Sequence, residues 1–365
     1  MKNKNILIVT SEFPPQPGGI GNHALHLALS LQKENYSVHV IADQRSVSGE
    51  EEVAFDATLP FHVVRIQRER LRFKMYIQRI FATYRAFSKA NHVIATGKFS
   101  LWNVAFITLF KKRNTLAVVH GSEVNFKPFL LKKSIDISLQ RFHRIVAVSK
   151  YTKSLITHIN KEVTVIPNGI CLEHWETEKV PKKVLPGNPV LTTVGRVSTR
   201  KGQLQVIMQL PALLKAFPTL HYHCVGIPTE ATAFLEKATQ LGVEKHITFH
   251  GSVNDFQLKE ILLQTDVFVM LSTESATGDV EGFGIAILEA NALGIPAIGS
   301  VNCGIEDAIQ NEKSGILIDG KDSMQLQNAI KSILEKKEAF SATAKCWAKQ
   351  HDWTVLIKRY IALLP

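Results

Sequence analysis

The sequence predicts two doubly wound α/β domains in tandem, and three observations carry that prediction. Short runs rich in Val and Ile alternate with helical patterns along the whole chain. The alternation breaks once, in a stretch from Thr177 to Pro189 that holds Pro181, Pro186, Gly187 and Pro189 and reads as a linker. The length of 365 residues is long for one core and suits two.

Taken in order, ILIVT (Ile6–Thr10) reads as a first buried strand. HALHLALSLQKEN has apolar residues at helical three-to-four spacing, and SVHVIAD returns as a strand. FHVVRI, HVIAT, TLAVVH, RIVAVS and VTVIP follow as strands. Such near-continuous apolar runs, separated by helices, indicate a parallel sheet covered on both faces. A second series follows the linker: VLTTVGR, LHYHCVG, ITFHG, VFVML, PAIGS and GILI. The expected domains are therefore residues 1–175 and 176–346. The last segment, HDWTVLIKRYIALL, is an amphipathic helix beyond the second sheet, and residues 347–365 are expected to return to the first domain. Ligands of such sheets bind at the carboxyl ends of the strands, so two facing domains would form a cleft.

Composition excludes several classes. Hydrophobic content is 45% and charged content 21%, ordinary for a globular protein. Cys171, Cys224, Cys303 and Cys346 lie far apart, which argues against a disulfide framework or a zinc site and fits a reducing compartment. The longest apolar run, Phe99–Phe110, is too short to span a bilayer. MKNKNILIVT is basic at its start, but its apolar stretch is too short for a signal peptide. Residues 1–175 carry 24 Lys/Arg against 12 Asp/Glu, while the remainder carries 19 against 20. A one-sided basic surface suggests an anionic partner: a membrane face, an acidic glycan or nucleic acid.

Two motifs carry chemistry. In VGRVSTRKG, Arg196, Lys201 and Gly202 follow a strand end. Arg can bond two phosphate oxygens at once and Lys adds a point charge, so the pair suits a diphosphate. A solvated basic turn is the alternative. In GDVEGFGIAILEA, Gly282 and Gly284 permit a tight loop before a helix starting near Ile285, whose free N–H groups and dipole attract phosphate. Glu281 precedes that helix and Glu289 lies about one turn inside it; carboxylates there suit sugar hydroxyls. Either glutamate alone could be a surface charge.

The pattern R-x4-K, followed about eighty residues later by E-x7-E enclosing GFG, resembles family 4 of the retaining glycosyltransferases, which have the GT-B fold of two Rossmann-like domains facing across a cleft. GDVEGFGIAILEA is similar to mannosyltransferases of that family that act on lipid acceptors. The resemblance runs from PPQPGGIGNHALHLA through HGSE, AVSKYTK and IPNGI to the final DW helix. It implies an N-terminal acceptor-binding domain and a C-terminal donor-binding domain. It implies that Arg196 and Lys201 bind the donor diphosphate and that Glu281 contacts the sugar. Phe283, Gly284 and Ile285 would offer backbone N–H groups, Glu289 would hold the ribose, and backbone near Val253 would frame the base. His120, ending VVH, would lie beside the anomeric centre and act as a neutral group, with Glu123 near the cleft. The Asp that usually follows IPNGI in the family is Cys171 here, so no role is carried over to that position.

The resemblance also implies retention of configuration, with the acceptor attacking on the face the diphosphate leaves and the leaving phosphate taking the proton. No cofactor is expected beyond the nucleotide-diphosphate sugar, and no metal, since no Asp-x-Asp motif occurs. GDP-mannose is the favoured donor; UDP-glucose and UDP-N-acetylglucosamine remain open. Expected partners are the sugar nucleotide, a lipid-linked or bacterial surface-glycan acceptor, and an anionic membrane surface, with no nucleic acid. The location would be cytoplasmic, at the inner face of the cell membrane.

Three further features complete the reading. Gly18 and Gly19 in PPQPGGIGNH form a loop through which backbone can approach a diphosphate or acceptor. A rival lies there: Gly19-x-Gly21-x-x-Ala24 with Asp43 mimics a dinucleotide fingerprint, though Ser11 to Gly18 separate it from the strand. RIQRERLRFKMYIQRIFATYRAFSKAN holds seven basic residues and one acid between Arg68 and Lys89. Arg68, Arg70, Arg72, Lys74 and Arg79 suit a helix lying on an anionic membrane, or one that packs its apolar face on the sheet. HYHC offers metal-like residue types, but strand side chains alternate between faces. Besides a dinucleotide-dependent oxidoreductase, a catalytically silent GT-B partner protein is the other competing class; four retained donor residues argue against it.

Overall fold

The computed structural model describes residues 5–176, 184–275 and 277–364. Much of the expected linker, residues 177–183, lies outside these. The chain divides into two units: Met1–Gly169 with Trp353–Pro365, and Ile170–Asp352.

Unit 1 is a seven-stranded parallel sheet: β1 Asn5–Thr10, β2 Ser37–Asp43, β3 His62–Ile66, β4 His92–Thr96, β5 Asn114–Val119, β6 Arg144–Ala147 and β7 Val163–Val165. Its order is β3-β2-β1-β4-β5-β6-β7. β1 pairs Ile8 with Val40 of β2 on one side and with Ile94 of β4 on the other. Chain direction across the sheet reverses there, which opens a crevice at the carboxyl ends of β1 and β4. Helix Lys98–Ile107 turns Leu101, Val104 and Ile107 onto Val93, Ala95, Ala117 and Val119. Each fully buried Leu, Val or Ile side chain among them contributes about 1.5–3 kcal/mol. Helix Trp353–Ile361 buries Trp353, Leu356, Ile357 and Tyr360 in this unit.

Unit 2 repeats the scheme with β8 Val190–Val194, β9 His221–Val225, β10 Ile247–Gly251, β11 Val267–Met270, β12 Ala297–Ser300 and β13 Gly315–Ile318. The order β10-β9-β8-β11-β12-β13 sets its switch point between β8 and β11. Helix Gln203–Ala216 packs Val206, Ile207, Leu210 and Leu213 into a core with Tyr222 and Cys224 of β9. His221 and His223 share the other face of β9, because residues two apart on a strand point the same way. All four cysteines are free thiols. No helix among the described residues is long and apolar enough to cross a membrane.

The basic segment resolves into helix Arg72–Phe87. Arg68, Arg70 and Lys74 are exposed; the side chain of Arg72 lies outside the described residues. Arg79 departs from the expected membrane-facing set. Its guanidinium grips Asp43 with Nε to Oδ1 at 2.7 Å and Nη2 to Oδ2 at 2.5 Å, and both side chains are only about 12% exposed. A buried arginine needs a paired carboxylate, and the end of β2 supplies one. The pairing thus engages Asp43, the acid of the pattern that mimics a dinucleotide fingerprint.

Candidate active site

The unit 2 site grows from the switch point. β8 ends at Val194, and Gly195 and Arg196 lead into a single turn, Thr199–Lys201. Gly202 closes that turn at φ +86°, and a Cβ there would lie 2.1 Å from the Leu271 carbonyl, so only glycine fits. The turn is tied to the strand-end loop of β11: Thr273 N–H donates to Arg200 O at 3.0 Å and Thr273 Oγ1 to Thr199 O at 3.2 Å.

From that loop Glu281 meets the turn. Lys201 Nζ donates to Glu281 Oε2 at 2.6 Å, and Arg200 Nη1 donates to the same oxygen at 2.9 Å. Arg200 Nε also reaches Asp279 Oδ2 at 3.0 Å. Burial opposes ionisation of Glu281, but the two cations override it and hold its pKa down at about 2. Of the expected diphosphate pair, Lys201 thus joins Glu281, whereas Arg196 is exposed at the strand end with no guanidinium partner among the described residues.

Gly284, at φ +89°, caps the helix Ile285–Ala292 without a side-chain cap. The N–H groups of Phe283, Gly284 and Ile285 donate to no acceptor among the described residues. Open donors at a helix start form an anion site. Phe283 itself is buried and packs near His351. Glu289, half-buried in the same helix, has its pKa pushed up to about 7 by burial, against the pull of Lys201. Val253 packs on Val190 and Val225 just before the Asn254 cap of helix Asp255–Leu263.

In the unit 1 crevice the centre is a neutral histidine. His120 follows β5, and its Nε2 lies 2.8 Å from Thr96 Oγ1 at the end of β4. Its ring meets His23 edge-on at 4.9 Å, and His23 Nε2 lies 2.9 Å from Tyr360 of the last helix. Burial drives the His120 pKa down to about 3, so the ring is neutral. Its backbone N–H donates to Glu123 Oε1 at 2.6 Å. Glu123 is fully buried with Oε2 unpartnered, and burial raises its pKa to about 7. Gly18 precedes helix Gly19–Lys33, and a Cβ on it would strike the Glu12 carboxylate at 2.4 Å.

Sequence reasoning missed Arg200 and Asp279. Both were in view, beside Lys201 and two residues before Glu281, but only the fold makes them neighbours. It also missed His23 and Thr96, although His23 closes PPQPGGIGNH and Thr96 closes HVIAT. A cavity of about 300 Å³ lies at the amino-terminal ends of β4–β6, between His92, Arg144 and Leu364, at the opposite strand ends from His120.

Two family models tile the chain: Glycosyltransferase Family 4 over residues 17–174 and Glycosyl transferases group 1 over residues 176–350. This chain is a glycosyltransferase of family 4, with the GT-B fold. Among its relatives, the GDP-mannose-dependent alpha-(1-6)-phosphatidylinositol monomannoside mannosyltransferase of Mycobacterium tuberculosis is 25% identical over 96% of this chain and 95% of its own. A GDP-mannose-dependent monoacylated alpha-(1-6)-phosphatidylinositol monomannoside mannosyltransferase of Corynebacterium glutamicum is 23% identical, over 99% and 98%. In fold, the glycosyltransferase resembles Anabaena HepE, solved with UDP and glucose, at TM-score 0.77, 18% identity and 98% of both chains. It also resembles a Rickettsia africae glycosyltransferase at TM-score 0.79 and 17% identity, over 100% of this chain and 98% of that one.

Proposed function

We propose that the enzyme is a retaining mannosyltransferase that moves mannose from GDP-mannose to a lipid-linked or cell-surface glycan acceptor. The observation that carries a nucleotide-diphosphate donor is the junction of Lys201, Glu281 and the open helix start at Ile285 in unit 2. The full-length relatives named for GDP-mannose support the choice of sugar.

In this reading Arg196, Lys201 and the N–H groups of Phe283 to Ile285 hold the diphosphate. Glu281 accepts from sugar hydroxyls, Glu289 from the ribose, and backbone near Val253 lines the base. The bond from the anomeric carbon to the diphosphate oxygen breaks while the acceptor oxygen bonds that carbon on the same face. The acceptor proton passes to the departing phosphate oxygen, giving GDP and a mannosylated acceptor. Preorganised donors aimed at the developing phosphate charge supply the largest stabilisation. Because fixed cations do this work, turnover is expected to survive EDTA. His120, neutral at any working pH, is assigned an orienting role, not that of an acid.

Delivery to a lipid acceptor is assigned to the basic face of unit 1. Helix Arg72–Phe87 exposes Phe73, Ile77 and Phe81 at four-residue spacing, beside Lys74 and Arg85. Exposed Phe106 and Phe110, and then Phe129 and Leu130, lie in or beside the next two helices, with Lys112 and Lys133 near them. Apolar rings between cations suit an anionic bilayer surface. Co-sedimentation with phosphatidylglycerol vesicles at low salt is expected, and its absence there would remove the docking role. The donor is tested by a hydrolysis and thermal-shift screen of GDP-mannose, UDP-glucose and UDP-N-acetylglucosamine. Response to GDP-mannose is expected; response to a UDP-sugar alone would replace mannose.

A further inference from the structure

Glu281 sits between two cations that are held differently. Lys201 Nζ reaches it at 2.6 Å and has no other carboxylate partner among the described residues. Arg200 reaches the same Oε2 through Nη1 at 2.9 Å, but its Nε is held by Asp279 Oδ2 at 3.0 Å. Asp279 is fixed in turn: its N–H donates to Ser275 Oγ and its carbonyl accepts from Ser275 N–H, each at 2.9 Å. The planar fork of Arg200 is therefore gripped at both ends, whereas Lys201 is a point charge on a flexible stem.

A bound diphosphate competes for those cations. The Lys201 ammonium can swing toward phosphate oxygens; Arg200, pinned by Asp279 and with its carbonyl bonded to Thr273, stays on Glu281. Without it, Glu281, only 12% exposed, would face an anion with no adjacent cation and would take up a proton. A neutral carboxyl accepts more weakly from sugar hydroxyls. The titratable and charged groups around Glu281 are Lys201, Arg200, Asp279 of its own loop and the Cys303 thiol.

We propose that Arg200 is a positioning residue: anchored by Asp279, it keeps the Glu281 carboxylate charged and oriented toward the donor sugar when Lys201 is drawn to the diphosphate. This rests on the donor site proposed above. The test is steady-state turnover of the sugar nucleotide found in the donor screen, from pH 5 to 9, for wild type, Arg200→Met, Arg200→Lys and Asp279→Asn, with binding of the matching nucleoside diphosphate alone.

Arg200→Met should lower kcat about 10- to 100-fold, the scale of one lost hydrogen bond to a charged group. The acid limb of its profile should move to higher pH, while nucleoside diphosphate binding stays near wild type. Arg200→Lys should recover most of kcat and return the acid limb, and Asp279→Asn should fall between. Wild-type kcat with an unmoved acid limb in Arg200→Met overturns the inference alone. Loss of nucleoside diphosphate binding in step with turnover also overturns it, by making Arg200 a phosphate ligand. A wild type inactive with every sugar nucleotide overturns the donor reading and this inference together.

Discussion

The two units share one strand order over six strands, to which unit 1 adds a seventh, and differ in the chemistry set at the switch point. In unit 2 the strand ends gather Lys201, Arg200, Glu281 and Asp279 into one ion-paired set. In unit 1 they gather His120, His23 and Thr96, with Glu123 buried and unpaired at Oε2. Much of the basic surplus of the N-terminal half lies on the segment leading into helix Arg72–Phe87 and on that helix, where Arg68, Arg70 and Lys74 are exposed. The lesson is that net charge locates surfaces, whereas the charge that serves chemistry is found by its partners.

The contrast is broken most forcefully by removing a charge from unit 2. Lys201→Ala should cut turnover about 100- to 1,000-fold, on the scale of one lost oxyanion-type donor. His120→Asn, which replaces a neutral ring by a neutral amide, should cost clearly less in the same assay. Equal losses would mean that the two crevices do not differ as described.

A smaller effect concerns the frame. Gly202→Ala places a Cβ 2.1 Å from Leu271 O at φ +86°. It should lower stability by roughly 1–3 kcal/mol in urea unfolding.

The finest test is pH. Glu281 is held at about 2 and Glu123 raised to about 7, from ordinary values near 4.5. Ionised Glu281 favours the fold above its unfolded pKa, and that benefit is lost as pH falls from about 4.5 through 2. Glu123 behaves oppositely: its contribution is whole below about 4.5 and lost as pH rises through 7. Wild type should therefore lose stability relative to Glu123→Gln between pH 5 and 8. Relative to Glu281→Gln it should lose stability only on acidification below about 4.5. Parallel slopes in thermal melts would contradict the contrast.

Much of this was legible beforehand, for reasons that differ by residue. The strands were legible because buried parallel strands write themselves as Val/Ile runs. The start of helix Ile285–Ala292 was legible because Gly284 must precede it at positive φ. Lys201 and Glu281 stood out as motif residues eighty positions apart, and the switch point joins them. Arg200 was not legible, because a cation beside Lys201 reads as a solvated neighbour until Asp279 is seen to hold it. Arg79 was read as a membrane contact because a basic run hides the one member that turns inward to Asp43. No spacing rule links His23 to His120, or either to Tyr360, since three separate segments bring them together.

The central claim is that unit 2 binds a sugar nucleotide through its diphosphate. Calorimetric titration of GDP and GDP-mannose into wild type and Lys201→Ala tests it most directly. Binding of both by wild type, weakened at least tenfold in the variant, is the predicted result; each tenfold is about 1.4 kcal/mol. Equal affinity of the two proteins for GDP would contradict the account.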